Sequence, residues 1–323
     1  AAARRRAALC LVAGTVPVLV TGLGQLCLGW SGPWQVPGAV VVWWLAPGGN
    51  PPGRLSGLFD YANITAAWLS LSWPLLLAAL LEAWRRCWNG GRRWPVLVVL
   101  GLAVAQVAAL YLTESRNAWG ALLLALPIVL GPSRWRWLLP LLGGAVLVIA
   151  LASVHGVPSA LQDPAQRLVP AAIWERLSDV QYGDQRPLAT TRLAQWGTAL
   201  QLVGQRPWLG WGAASFSTMY PRLTGQWHGH PHNLPVDLAV SHGLPVALLV
   251  VGFVVALLLQ GVRLGMIRGP LSERAWWTSA LVLLALHATD MPFYDSRLNL
   301  AGWILLAGVA MAGRPASHPD QIR

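Results

Sequence analysis

The sequence predicts an all-α, polytopic bundle of about eight transmembrane helices, with a large extracytoplasmic loop domain containing short helices. Three observations predict it. Apolar residues make up 55% of the 323 positions and charged residues only 11%, against about 45–50% and about 25% in soluble domains. The mean hydropathy is +0.50. Eight apolar runs recur along the chain, and the charges between them are segregated by side.

The runs lie at 7–30, 62–82, 95–113, 117–131, 135–153, 234–260, 275–289 and 298–313, to be set against a hydrocarbon core of roughly 30 Å. With a cytoplasmic N-terminus, the inner segments carry fourteen Arg against Glu82, Glu273 and Asp320, which accounts for the whole formal charge of +11. The outer segments carry nine Arg and nine acids. This asymmetry follows the positive-inside rule and places both termini in the cytoplasm. The basic balance thus reports topology, and no soluble segment shows the basic patch with interleaved aromatics of a nucleic-acid binder. All 23 basic residues are Arg, a compositional bias given no functional weight. Twenty Trp, many at segment ends, fit interfacial aromatic belts. Cys10, Cys27 and Cys87 are too scattered for a disulfide framework or a cysteine metal site. The opening at Ala1 without an initiator Met, with AAARRR before an apolar run, reads as an N-terminal truncation; a signal peptide is the weaker alternative, since the run from Ala7 to Trp30 exceeds the roughly 7–15 residues of a signal-peptide core.

Three regions follow. Residues 1–153 hold the first five helices and an outer loop at 31–61; 154–233 form the extracytoplasmic loop domain; 234–323 hold the last three helices and a cytoplasmic tail. Within the outer loop, "VPGAVVVWWLA" is too short to span, and is expected to lie at the interface or pack on the bundle. Within the loop domain, "TTRLAQWGTALQLVG" reads as an amphipathic helix with Leu193, Trp196, Leu200 and Val203 on one face, capped by Thr190 or Thr191.

At about 1.5 Å per residue, the runs 117–131 and 275–289 reach roughly 22 Å and 298–313 roughly 24 Å, short of the roughly 30 Å core. Their outer turns, "TESRN" and "DMPFYDSR", are therefore expected to dip. Charges drawn below the surface need a polar cavity and partners. The expected cavity is lined by Glu114, Arg116, Asp290, Asp295 and Arg297. The competing reading makes them ordinary charges of tight turns.

"HGHPHNLPVDLAVSHG" (228–243) contains four of the seven histidines. On a strand, His228, His230 and His232 would share one face and suggest a metal. Gly229 and Pro231 oppose a regular strand, and no carboxylate follows before Asp237. No metal site and no cofactor is assigned.

Four stretches, taken together, resemble the O-antigen ligase and polymerase family of polytopic membrane glycosyltransferases. They are "RLSGLFDYANITAAWL", "LTESRNAWGALLLALP", "TRLAQWGTALQLVGQRPWLGWGAASF" and "HPHNLPVDLAVSHGLPVALLV". The resemblance covers roughly 55–313. Such proteins have about a dozen helices, so the chain looks like one lacking the first few. The resemblance implies metal-independent transfer of a glycan from a polyprenyl diphosphate carrier to a lipid- or glycan-linked acceptor hydroxyl on the outer face of the bacterial inner membrane. Members include ligases, polymerases, protein O-glycosyltransferases and relatives linked to bicarbonate uptake.

The resemblance also assigns residues. Arg116 and Arg192 match its phosphate-binding arginines, whose fixed charge and forked donors suit a diphosphate. Arg297 is added as a third diphosphate ligand on the depth argument alone. His232 matches its base, a group suited to removing a hydroxyl proton near neutrality. Asn233 holds local geometry or binds sugar hydroxyls, and His230 lines the acceptor groove or sits in solvated loop. Glu114 is read as an ion-pair partner of Arg116, and Asn63 as the upstream Asn, a helix cap or an interhelical hydrogen-bonding residue. The rival is a membrane anion transporter, for bicarbonate for example, which should place polar groups at mid-membrane. Here Gln106 and His287 are the main ones, and nearly all the other candidate groups cluster at the outer ends.

Overall fold

A computed structural model describes residues 2–38, 40–178 and 188–312. Residues 179–187 of the loop domain, and Arg314, Asp320 and Arg323 of the inner charge count, lie outside the described residues.

Helices stand where the apolar runs predict them. The first group is α1 (Ala2–Cys27), α2 (Ala62–Trp88), α3 (Trp94–Leu112), α4 (Arg116–Leu130) and α5 (Trp135–Ser153). After α6 (Ser159–Leu168), α7 (Ala171–Ser178), α8 (Arg192–Gln205) and α9 (Ser215–Thr224) of the loop region come α10 (Leu234–Arg263), α11 (Leu271–His287) and α12 (Ser296–Ala310). Among the described residues, five helices are long and apolar enough to cross a membrane: α1, α2, α3, the 132–153 stretch containing α5, and α10. The helices α4 and α12 are apolar but short, and α11 carries Glu273 and Arg274 in its first turn. The chain is a helical, multi-pass membrane protein.

Helices α2 and α11 form the centre, with α4 against both. Leu71, Leu75, Ala121, Ala125, Val129 and Leu283 are buried between them. Trp276 and Trp277 of α11 lie in this core and not in an interfacial belt. Their ring N–H groups donate to the Leu305 and Leu258 carbonyls, each at 2.9 Å. A buried indole thus finds a partner and ties α11 to α12 and α10. The charges sort to two ends of the bundle. At one, Arg4 meets Glu273 at 2.6 Å and Arg274 donates to the Val129 carbonyl at 3.0 Å. The turns 54–63, 113–117 and 288–297 gather at the other.

One local expectation gains detail and another is corrected. The "VPGAVVVWWLA" stretch, expected at the interface or packed on the bundle, joins a two-stranded antiparallel hairpin of β1 (Trp34–Val36) and β2 (Val40–Trp43), with Trp34 opposite Trp43. A run of β-branched valines after a glycine turn favours extended chain over helix. Thr191 does cap α8, accepting from the Ala194 N–H at 3.3 Å, but the buried face is Gln195, Ala199, Leu202 and Val203. Leu193 and Leu200 point away from the protein. Counting apolar residues misplaces the face because small Ala199 and polar Gln195 are what fit beneath α10.

The longest helix is broken. Gly243 of α10 has φ 84° and ψ 166°, backbone that a side chain disfavours. The groups freed by the break are taken up by the segment following α8. Trp211 and Gly212 N–H donate to the Val240 and Ser241 carbonyls at 2.8 and 2.9 Å, and Leu244 N–H donates to the Pro207 carbonyl at 2.7 Å. A Cβ on Gly243 would stand 2.2 Å from the Trp208 carbonyl oxygen, and one on Gly210 2.6 Å from the Ser241 carbonyl carbon. The glycines of "WLGWG" therefore permit close backbone docking, and Trp211 is anchored by a 2.8 Å bond to the Leu202 carbonyl.

Candidate functional site

The site is built where helix ends meet. Asn233 caps α10, its side chain accepting from Val236 N–H at 3.0 Å while its amide donates to the Ala288 carbonyl at 2.9 Å. That second bond fixes the histidine segment to the turn after α11. His232, just before the cap, has φ +52°, a left-handed conformation costing about 1–2 kcal/mol for a residue with a Cβ. Asp60 and Glu114 share this backbone state. All three lie in the turns that carry site residues, and such outliers persist only where the surroundings impose them.

Asp290 is the hub. Its Oδ1 lies 3.0 Å from His232 Nδ1 and accepts from Met291 N–H at 2.9 Å. Its Oδ2 accepts from the Asn63 amide at 3.0 Å and stands 3.7 Å from Arg192 Nη2. The carboxylate is 11% exposed. Burial alone would raise its pKa, but the His232 hydrogen bond and charge, Arg192 and the Met291 N–H together hold it below the usual carboxylate value. An ionised Asp290 can only accept, so the proton between the pair sits on His232 Nδ1, and Nε2 is the ring nitrogen left to exchange a proton with a substrate.

Behind the hub, Arg54 donates to Asn63 Oδ1 at 2.6 Å and to the Thr113 carbonyl at 2.8 Å. Asn63 is thus an interhelical link, not a cap, and it orients Asp290. Arg192, first residue of α8, lies 3.5 Å from Asn117 Oδ1. Asn117 is in the first turn of α4, which Arg116 opens. Arg116 and Arg192 each open a helix, and Arg192 approaches the first turn of α4, where the positive end of the dipole favours an anion. A small cavity beside Asn117 is lined by Asn63, Ser115, Asn117, Leu286 and Asp290.

His230 and His232 rings pack edge to face at 4.4 Å, and His230 Nδ1 accepts from the His232 backbone N–H at 3.2 Å. Burial first, then the neighbouring His232, lowers the His230 pKa to about 4, with Asp290 opposing. His230 is neutral near pH 7 and presents Nε2–H as a donor. Its ring stacks 5.8 Å from Tyr294, whose hydroxyl donates to Asp237 at 2.9 Å. His230, His232 and Asp290 each bring one potential ligand atom within 4.8 Å of the others. This grouping differs from the all-histidine set considered in the sequence. The His232 and His230 Nδ1 atoms are already engaged, to Asp290 and to backbone, as suits a base and its orienting groups.

Two residues meet partners other than those expected. Glu114 pairs with Arg176 of α7, not with Arg116: Arg176 Nε lies 3.7 Å from its carboxylate and donates to its carbonyl at 3.2 Å. The left-handed turn at Glu114 carries its carbonyl and carboxylate to the same cation. Arg297, proposed as a diphosphate ligand, is committed elsewhere. Its Nε and Nη2 donate to Asp295 at 3.1 and 2.6 Å, and its Nη1 donates to the Leu58 carbonyl at 2.8 Å. Its guanidinium also lies 4.1 Å from the Phe59 ring centre. The depth argument sees a costly charge but not the partner two residues before it. The expected five-residue cavity is therefore divided: Asp290 joins the histidine and Arg192, whereas Asp295 and Arg297 brace the turn against the 57–59 segment.

The mid-bundle polar residues that favoured a transporter are tied to backbone. Gln106 donates to the Leu69 carbonyl at 2.6 Å, and the His287 ring lies 2.7 Å from the Leu283 carbonyl. The residue that sequence reading undervalued is Asp290, which appears there only as one lining charge. Arg54 was legible as the opening residue of the R-x-x-G-x-F-x-x-x-N stretch; for Arg176 the sequence gives no signal.

Residues 101–251 match the family described as O-antigen ligase. That stretch runs from α3 through α10 and includes Arg116, Arg192, His232 and Asn233. No curated protein matches the chain.

Proposed function

From the match of residues 101–251 to the O-antigen ligase family, we propose that the chain transfers a glycan from a polyprenyl diphosphate to an acceptor hydroxyl, with inversion and without a metal. The reaction takes place on the outer face of the inner membrane. The observation that carries the reading is the 3.0 Å contact between His232 Nδ1 and Asp290 Oδ1, beside Arg192.

His232 Nε2 takes the proton from the acceptor hydroxyl as its oxygen attacks the anomeric carbon. The bond from that carbon to the diphosphate oxygen breaks, and its electron pair leaves on the polyprenyl diphosphate. Arg192 and Arg116 hold that diphosphate and offset its growing charge. Asp290 stabilises the imidazolium without itself taking the proton. Asn63 and Arg54 hold Asp290, and Asn233 holds the histidine segment.

The test is transfer by purified protein in detergent with excess chelator, comparing wild type and His232→Ala. Transfer that persists in chelator and disappears in the variant supports the reading. Undiminished transfer by the variant would overturn the histidine base. Absence of transfer in wild type, with ion-driven anion uptake in liposomes, would replace the enzyme with a transporter.

A further inference from the structure

The end of the bundle away from the histidine segment carries charge that the proposed reaction does not use. Arg274, in the first turn of α11, is held there by backbone. Its Nε donates to the Val129 carbonyl at 3.0 Å and its Nη1 to the Gly269 carbonyl at 3.1 Å. Val129 lies in the last turn of α4, where carbonyls have no partner within the helix and the dipole is negative. The guanidinium rests against Gly131, where a Cβ would come within 2.9 Å of Nη1. The end of α4 and the turn before α11 thus fix this arginine, and no acceptor among the described residues meets its Nη2.

Two further arginines bear on it electrostatically: Arg85, in the last turn of α2, and Arg134, in the turn between α4 and α5. Arg85 is exposed and Arg134 half-buried, and among the described residues neither meets a carboxylate. The acids that neighbour this group in sequence are already paired, Glu82 with Arg86 and Glu273 with Arg4. Three like charges brought together from three elements repel one another. An anion between them reverses that cost.

The surroundings indicate which anion. Trp84, Trp88 and Trp137, close in sequence to Arg85 and Arg134, are all exposed. Exposed tryptophans of a membrane protein sit at the level of the lipid head groups, which sets these arginines at the depth of lipid phosphates. Basic pockets between membrane helices at that depth bind acidic head groups, and a phosphate matches the forked donors of arginine. A zwitterionic lipid would bring its own ammonium group against three cations. An acidic lipid brings none.

We propose that Arg85, Arg134 and Arg274 bind the phosphate of an acidic phospholipid in the leaflet opposite the histidine site. The bound phosphate joins the ends of α2, α4 and α11, the three helices at the centre of the bundle, and so fastens the core from outside it. No part of this depends on the catalytic reading.

The experiment uses the purified full chain in phosphatidylcholine nanodiscs containing a phosphatidylglycerol with a diazirine on its head group. Labelling is expected on peptides that contain Arg85 or Arg134, competed away by unlabelled phosphatidylglycerol but not by phosphatidylethanolamine. Arg85→Gln combined with Arg134→Gln should reduce labelling about tenfold. Arg92→Gln combined with Arg93→Gln removes the same charge from exposed positions near the end of α2 and should leave labelling nearly unchanged. Equal losses in the two pairs would overturn the site in favour of a diffusely basic face. Full competition by millimolar inorganic phosphate would assign the anion to solution and overturn the lipid. Stability gives a second readout, because a ligand that binds only the folded chain raises its Tm. Adding phosphatidylglycerol to phosphatidylcholine nanodiscs should raise the Tm of the wild type and of the Arg92/Arg93 pair. A rise of the same size in the Arg85/Arg134 pair would overturn the proposal.

Discussion

His232 and Asp290, 58 residues apart in sequence, meet at 3.0 Å because α10 begins where the turn after α11 ends. The carboxylate decides which imidazole nitrogen carries the proton. Asp290→Asn should retain the shape of the contact, remove the charge and lower the transfer rate by about 10²–10⁴, the range of a general base. His232→Ala should lose as much, and the double variant should lose little more than either alone. Single-turnover rates at saturating donor check this.

Arg192 is expected to act on donor binding and on departure of the diphosphate. Arg192→Lys keeps the charge but loses the fork. It should raise the donor KM or reduce kcat by about tenfold, with Arg192→Ala about a further tenfold worse. Steady-state kinetics with varied donor measures both. Arg116→Ala should follow the same pattern.

Arg297→Ala should behave differently. Its removal leaves Asp295 and the Leu58 carbonyl without their cation and strips a guanidinium from Phe59. The expected outcome is a loss of about 1–3 kcal/mol in stability, read as a lower Tm in detergent, with the donor KM unchanged. A donor KM that rises with an unchanged Tm would return Arg297 to the diphosphate site.

Acidification should weaken the protein in two steps. His230, with its folded pKa lowered to about 4 from an unfolded value near 6.5, stays neutral in the fold while the unfolded chain binds a proton. Stability from this group is full above about pH 6.5 and falls toward about pH 4. Asp290 is held below the usual carboxylate value. Its contribution is present above the unfolded pKa of about 3.9 and is lost as pH falls through the lower folded value. Tm measured against pH should show the first decline, and His230→Gln should flatten it.

Gly243→Ala tests the break in α10. The new Cβ would meet the Trp208 carbonyl at 2.2 Å, in backbone with φ 84°. A loss of about 2 kcal/mol or more is expected, along with reduced transfer because the histidine segment loses its seat. A variant with unchanged Tm and activity would show that the docking of 207–212 is dispensable.

The apolar runs make the long helices legible because bilayer burial leaves a strong compositional trace. His232, Asn233, Asn63 and Arg192 were also legible, through motif order. Pairings were not. Asp290 lies in a turn whose register depends on how α11 packs on α2, and nothing near it in sequence points to a histidine 58 residues earlier. Glu114 and Arg116 are sequence neighbours, yet a left-handed turn sends Glu114 to Arg176. Arg297 illustrates the converse error: depth identifies an expensive charge, but only side-chain geometry shows that Asp295 compensates it. On α8, Gln195 and Ala199 lie where hydrophobicity expected Leu193 and Leu200.

The break at Gly243 gives the histidine a handle outside its own helix. Because Leu244 N–H bonds to Pro207, and the Val240 and Ser241 carbonyls to Trp211 and Gly212, the nine residues from Leu234 to His242 hang partly from the strap that follows α8. Arg192 opens α8, at the end of that helix away from the strap. One continuous stretch, 192–242, therefore carries both the cation and the base, and Asp290 from outside that stretch meets both.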